Sequence, residues 1–128
     1  TDAVEMALGV IDDAQFGPLI LIAAGGIFME LLGDRRLLLP PFGRAEALAA
    51  IDGLRIRPML DGARGRPKAD VEGLADAAAR LSVLAATLGS AIAELDVNPL
   101  RVGPEGCLAL DALVVPKAAR PEGSQAAE

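Results

Sequence analysis

A chain of 128 residues with a formal charge of −6 is long enough for one domain with a core of its own. The acidic balance argues against a nucleic-acid partner, since that needs clustered Lys and Arg to displace counterions from the phosphate backbone. The absence of histidine removes Ser-His-Asp and Cys-His catalysis, His metal ligands and a phosphohistidine carried on this chain.

Residues 3–11 read as a strand, in which Val4, Met6, Leu8 and Val10 alternate with Glu5, Ala7 and Gly9. A chain that opens on Thr1 so close to a strand reads as a piece of something longer. Asp12-Asp13-Ala14-Gln15 is a polar turn. The strand after it, residues 17–24, is apolar on both faces and should pair back as an antiparallel hairpin. Gly25-Gly26 stops the run. Residues 27–32 resume it, and residues 35–39 complete a third ribbon before Pro40-Pro41. The most apolar stretch, 18–32, holds Gly25, Gly26 and Glu30. It is shorter than the ~20 residues a membrane-spanning helix needs, and no basic segment precedes it as in a secretory signal. A cytoplasmic protein without a membrane partner is expected.

The period then changes. Residues 45–54 form a short helix with Leu48 and Ile51 on one face, and residues 56–68 are broken by Pro58, Gly62, Gly65 and Pro67. Asp70 is the N-cap of the strongest helix, which runs to about Gly89, an αL C-cap. Val71, Leu74, Ala78, Leu81, Ala85 and Leu88 make its apolar stripe, and Asp76 and Arg80 can pair on the far side. Residues 92–97 and 107–114 are strands around Gly103-Pro104-Glu105-Gly106. Cys107, the single cysteine, cannot form an internal disulfide and reads as a small apolar residue rather than a reactive thiol. From Pro116 onward the chain is polar, Ala-rich and aperiodic, as in a tail or linker. The fold class is therefore α+β, a largely antiparallel sheet with helices packed on it. The domain is expected to span 1–115, with the tail at 116–128.

The informative segment is Glu94-Leu95-Asp96-Val97-Asn98-Pro99-Leu100, followed by Leu108-Ala109-Leu110-Asp111. Alternation puts Glu94, Asp96 and Asn98 on one face of a strand and sends Leu95 and Val97 into the core. Carboxylate and amide oxygens so aligned, beside Asp111, suit a hard cation such as Mg²⁺, which keeps several waters and is shared with phosphates. An Asp and an Asn near strand ends also serve simply to satisfy turn backbone. A two-residue loop at Pro104-Glu105 would place Asn98 opposite Asp111. Pro104 instead favours a type I turn and a three-residue loop, which shifts the register by one. A bulge or break at Pro99, which cannot donate to the ladder, is then expected to bring the two side chains back to one face.

This hairpin resembles the one that ends the ATP-grasp domain in the succinyl-CoA synthetase β-chain and the NDP-forming acyl-CoA synthetases. Three further segments are similar to the latter branch in the same order. They are Glu5-Met6-Ala7-Leu8-Gly9-Val10 with Asp13-Ala14-Gln15-Phe16-Gly17-Pro18, then Gly25-Gly26-Ile27-Phe28-Met29-Glu30, and Gly62-Ala63-Arg64-Gly65-Arg66-Pro67. The resemblance covers about residues 4–115. It implies the C-terminal lobe of an ATP-grasp unit, with Asn98 and Asp111 as Mg²⁺ ligands holding the phosphates of ATP or ADP. It implies too that Asp96 faces a phosphohistidine loop arriving from another domain.

Gly25 and Gly26 are candidates for bringing backbone N–H groups to a phosphate, or they let the chain turn between strands. Arg64 and Arg66 stand in a loop that either reaches an anion or is merely solvated. Nothing in the sequence corresponds to the lobe that grips adenine and triphosphate in that family, nor to its CoA-binding domains or phosphorylated histidine. The resemblance therefore implies one part of a cytoplasmic acid–CoA ligase, inactive alone, with the rest of the synthetase and the nucleotide as partners. A regulatory synthetase-like module fused to an acetyltransferase is the other reading.

Overall fold

The computed structural model describes residues 3–26 and 33–118. Strand β1 (Val4–Asp13) and strand β2 (Gly17–Ala24) pair antiparallel from Met6↔Ala24 to Asp13↔Gly17. Their turn is held by the Asp13 carboxylate, which accepts from Gln15 N–H at 2.8 Å and Phe16 N–H at 2.9 Å. Such local bonding is why Asp favours turns. Strand β3 (Arg35–Leu38) adds to β2. The ribbon expected over 27–32 lies outside the described residues.

Two helices follow, α1 (Arg44–Asp52) and α2 (Arg57–Leu60). The second corrects the irregular segment expected over 56–68. Pro58 falls in its first turn, where a missing N–H costs nothing, and a 3₁₀ turn (Ala63–Gly65) follows. The long helix α3 (Val71–Leu88) starts where expected, with the Asp70 carboxylate accepting from Gly73 N–H at 2.9 Å. Its exposed Asp76–Arg80 pair closes at 3.0 Å. Gly89 departs from the expected αL cap: its φ of 52° comes with a ψ of −122°, because the chain goes straight into a 3₁₀ turn (Gly89–Ala91) before strand β4 (Ile92–Gly103).

Strand β4 runs antiparallel between β1 on one side and two short strands, β5 (Gly106–Ala109) and β6 (Ala112–Pro116), on the other. The sheet order is β3-β2-β1-β4-β5, with β6 continuing beside the first half of β4. Every pairing among the described residues is antiparallel. Lys117 still holds to the body, through its N–H to Ala91 O at 3.0 Å and its ammonium to Asp12 at 2.9 Å.

Alternation divides the sheet into two faces. Val4, Met6, Leu8, Val10, Ile20, Ile22, Leu95, Leu100 and Val102 point to the helix layer and form one core with Ala47 and Ile51 of α1 and Leu74, Ala75, Ala78 and Ala85 of α3. The α3 stripe is rotated from expectation, with Ala75 fully buried and Leu81 only partly so. Leu88 lies at the exposed end, and Ser82 is fully buried beside Ala78 and Ala85 on the core side. The Ser82 hydroxyl donates to Ala79 O at 2.6 Å and accepts from Phe42 N–H at 3.1 Å, which makes a buried polar side chain affordable. Asp34, also buried, accepts from Arg55 N–H (2.7 Å) and Ile56 N–H (2.9 Å), tying the entry to β3 to the α1–α2 connection.

Candidate functional site

The face of the sheet turned away from the helices carries the polar residues. Glu94, Asp96 and Asn98 alternate with Leu95 and Val97 along β4, and the register sets Gly9 of β1 beside Asp96. At Asn98-Pro99 the alternation breaks. Val97 and Leu100 both pack on the helix side, so two residues, Asn98 and Pro99, occupy the place of one. On β1 a single residue, Ala7, faces them, between Met6↔Leu100 and Leu8↔Val97. A bulge thus falls at Pro99, the position expected, but against β1 rather than in the hairpin with the following strand, and the Asn98-Pro99 peptide is cis.

The loop differs from expectation. Gly103 pairs with Gly106, so Pro104-Glu105 is a two-residue loop, not a three-residue one. Gly106 at φ +140° supplies backbone freedom that hairpins usually take from Gly or Asn inside the loop. The register is therefore unshifted, and Val97↔Ala112 and Leu100↔Ala109 flank the irregularity. Leu110 and Asp111 match Asn98 and Pro99 two for two. The bulge is one against β1 only. Asn98 N–H donates to Asp111 O at 3.1 Å and Leu110 N–H to Pro99 O at 3.0 Å. Alternation from Val97 and Ala112 puts Asn98 and Asp111 on the open face, across from one another.

A cleft of about 280 Å³ opens on this face beside Asn98, lined by Asp96, Asn98, Pro99, Glu5, Gly25 and Gly26 among others. Asp111 is not in its lining. It sits at the outer side of Asn98, exposed, with Oδ1 accepting from Ala112 N–H at 2.9 Å. Glu94 is exposed further down the strand, opposite Ile11.

The glycine pair reaches the cleft because β1 and β2 extend one pair beyond their ladder. Gly25 N–H donates to Glu5 O at 2.8 Å, and a Cβ on Gly25 would stand 2.9 Å from that same oxygen. The Gly25 amide is thus spent inside the sheet, whereas the Gly26 amide has no backbone partner among the described residues. The Glu5 carboxylate hangs over it, with Oε1 3.9 Å from where a Gly26 Cβ would lie.

By the alternation of β1 alone, Glu5 is one of its polar strand residues. The hairpin register, carried one step past Met6↔Ala24, is the signal that places it beside Gly25. A second cleft of about 220 Å³ lies on its other side, between Glu5, Gly25, Gly26, Ile56, Met59 and Arg66. Arg66 enters it from the Gly/Pro loop, with Nη1 donating to Ala3 O at 3.5 Å. Arg64 is exposed and held at φ +61°.

These are oxygen donors of hard-cation type. Among the described residues, no three His, Cys, Asp or Glu side chains gather to hold a metal by themselves. A carboxylate and an amide on adjacent strands form an open edge, the arrangement of an ion that keeps waters and is shared with phosphate rather than caged. Cys107, half-buried on β5, plays no part. Burial first, and the Asp70 charge second, push its thiol up from 9.0 to about 11, and a protonated thiol is a poor nucleophile.

The sequence matches the ATP-grasp domain family model over residues 1–115. The chain belongs to the ATP-grasp family. The ATP-grasp chain is 36% identical over 111 residues to the acetate–CoA ligase [ADP-forming] I subunit beta of Pyrococcus furiosus, covering 87% of this chain and 47% of that subunit. It is also 36% identical over 115 residues to subunit beta of ligase II from the same organism, covering 88% and 49%.

Among solved structures it superposes, at a TM-score of 0.83 and 32% identity, on the dinucleotide forming acetyl-coenzyme A synthetase 1 of Ca. Korarchaeum cryptofilum. That match covers 89% of this chain and 53% of the other. That protein was captured with coenzyme A and Mg-AMPPCP, its phosphohistidine segment pointing towards the nucleotide binding site. The ATP-grasp chain thus spans about half the length of the ligase subunits it matches. Among its described residues, no helix is long and apolar enough to cross a membrane.

Proposed function

We propose that this chain holds the Mg²⁺ and phosphate side of the nucleotide site in a cytoplasmic, ADP-forming acyl-CoA synthetase. The reaction is acid + CoA + ATP giving acyl-CoA, ADP and phosphate, by way of a phosphohistidine. The observation that carries it is the register of β4 against β5 and β6, which sets Asn98 across from Asp111 at the end of the cleft holding Asp96. Asn98 and Asp111 would hold the ion, which when bound neutralises charge on the phosphates during transfer. Asp96, two residues from Asn98 on the same face, would orient the imidazole that takes the phosphoryl group. Gly26 offers its backbone N–H to a phosphate. Since Glu5 lies above it, the cation is needed to make an anion welcome there.

The relatives' names support this reading, and so does the neighbour crystallised with Mg-AMPPCP. The remaining half of such a subunit, with the CoA-binding and phosphohistidine domains, would be the partners. The chain carries no histidine, so the phosphoryl acceptor must come from them. A regulatory synthetase-like module is the second reading, favoured if the longer protein lacks that histidine.

The test uses the full-length protein that contains this chain. It is incubated with γ-labelled ATP and Mg²⁺, and acid-labile label on the protein is followed. The label is expected in the parent protein and absent in Asp111→Ala. Bound nucleotide without label in the intact protein would sink the synthetase reading.

A further inference from the structure

The helix layer is incomplete. Helices α1 and α3 cover β2, β1, the inner side of β4 and part of β5, but no helix among the described residues packs over the helix-side face of β6. An apolar groove of about 370 Å³ remains there. Leu81 and Leu84 of α3 form its wall, and Leu8, Val97, Leu100 and Ala109 of the sheet its floor. Beyond it Val114 is 55% exposed, and Leu88, at the end of α3, is 40% exposed. Single exposed apolar residues are ordinary, whereas a continuous apolar trough leading to an uncovered strand marks a docking surface.

We infer that this groove seats an amphipathic helix contributed by the other half of the ATP-grasp unit. The inference rests on the reading above, that the chain is one part of a larger synthetase. Three observations select that occupant. The relatives' subunits are about twice the span of the match, 47% and 49% of their length being covered. A comparable length of chain must therefore pack somewhere on this half.

The trough also runs alongside α3 and over the sheet, which is where the next helix of the same layer belongs. Neighbouring helices pack 8–10 Å apart, ridge into groove, and an antiparallel sheet covered on one face needs that face covered to its end. Finally, the polar face of the sheet with Asn98 and Asp96 is the opposite one. A helix in the groove thus joins the two halves without obstructing the cleft.

The test reads groove exposure directly. In a Cys107→Ala background, Leu84→Cys is placed in the groove and Glu105→Cys, on the exposed β4–β5 loop, serves as control. Maleimide labelling rates are compared between the 128-residue chain and the full-length protein, with circular dichroism verifying the fold of each. Labelling at position 84 is expected to be at least tenfold slower in the full-length protein, with position 105 unchanged.

Equal rates at position 84 in a full-length protein that still binds Mg-ATP would overturn the docking surface and leave the proposed function standing. Protection at position 84 without Mg-ATP binding would uphold the surface and remove the function. Slow labelling already in the 128-residue chain, with a dimer on gel filtration, would assign the groove to a second copy and overturn the inference.

Discussion

Gly25 shows how a single side chain's absence shapes the site. Its N–H bonds Glu5 O at 2.8 Å, and a Cβ would meet that carbonyl oxygen at 2.9 Å. The obstacle is backbone in a paired strand, so it cannot step aside as a flexible side chain would. Gly25→Ala is expected to cost about 1–3 kcal/mol, as overpacking does, read as a lower urea midpoint.

Cys107 supplies a prediction in pH. Its folded thiol keeps its proton to about 11, whereas the usual value is 9.0. Between those values the unfolded chain ionises first. The resulting stability is present in full below pH 9.0 and is lost as pH rises through about 11. Cys107→Ser has nothing to titrate there, so its urea midpoint is expected to fall less steeply than the parent's over that window.

At the scale of elements, the cleft depends on ties between layers that contribute no chemistry. Asp34 is one. Its buried carboxylate accepts from two backbone N–H groups at the α1–α2 connection, and its carbonyl accepts from Ala24 N–H at 3.0 Å. The end of β2, from which Gly25 and Gly26 follow, is thereby anchored to the helix layer. Asp34→Ala leaves the buried Ile56 N–H and the part-buried Arg55 N–H unpaired, for which a loss of roughly 1–3 kcal/mol is expected. Chemical denaturation measures it. A variant within about 0.5 kcal/mol of the parent would show that water replaces the carboxylate and that the tie is not needed.

For the whole molecule, the separation of the two faces sets what each substitution does. Asp96 lies on the open face, two residues from Asn98, and is removed from the helix core. If it orients the phosphoryl acceptor, Asp96→Asn in the full-length protein should slow histidine phosphorylation by ~10²–10⁴, the range for a positioned proton-transfer group. Mg-ATP affinity should stay within about twofold. A parallel fall in affinity would place Asp96 on the ion instead.

How much of this was legible beforehand follows from the range of the forces involved. Strand alternation in β1, the Asp70 cap and the Asp76–Arg80 pair are local, decided by residues a few positions apart, and they read directly from the sequence. So did the family resemblance, because its motifs are short contiguous runs. The position of the bulge at Pro99 was legible too, since a residue without an N–H cannot serve the ladder, but not that β1 is the strand it faces. The loop at Pro104-Glu105 was not. Its length depends on how Gly103 and Gly106 share the turn once β4 is already paired with β1, and turn preference alone pointed elsewhere.

Ser82 and Asp34 read as unremarkable polar residues because their partners, Phe42 N–H and the amides of Arg55 and Ile56, stand 40, 21 and 22 positions away. Glu5 joined the cleft only when the hairpin register carried it beside Gly25. The sequence by itself determined most of the strands, the long helix, the candidate metal pair and the family, because each is written in neighbouring residues. Only the tertiary structure decided that Asn98 faces Asp111, that Glu5 overhangs Gly26 and that the helix layer stops short of β6. Those depend on pairing and packing between segments distant in the chain, where the free energy of burial and hydrogen bonding outweighs local preference.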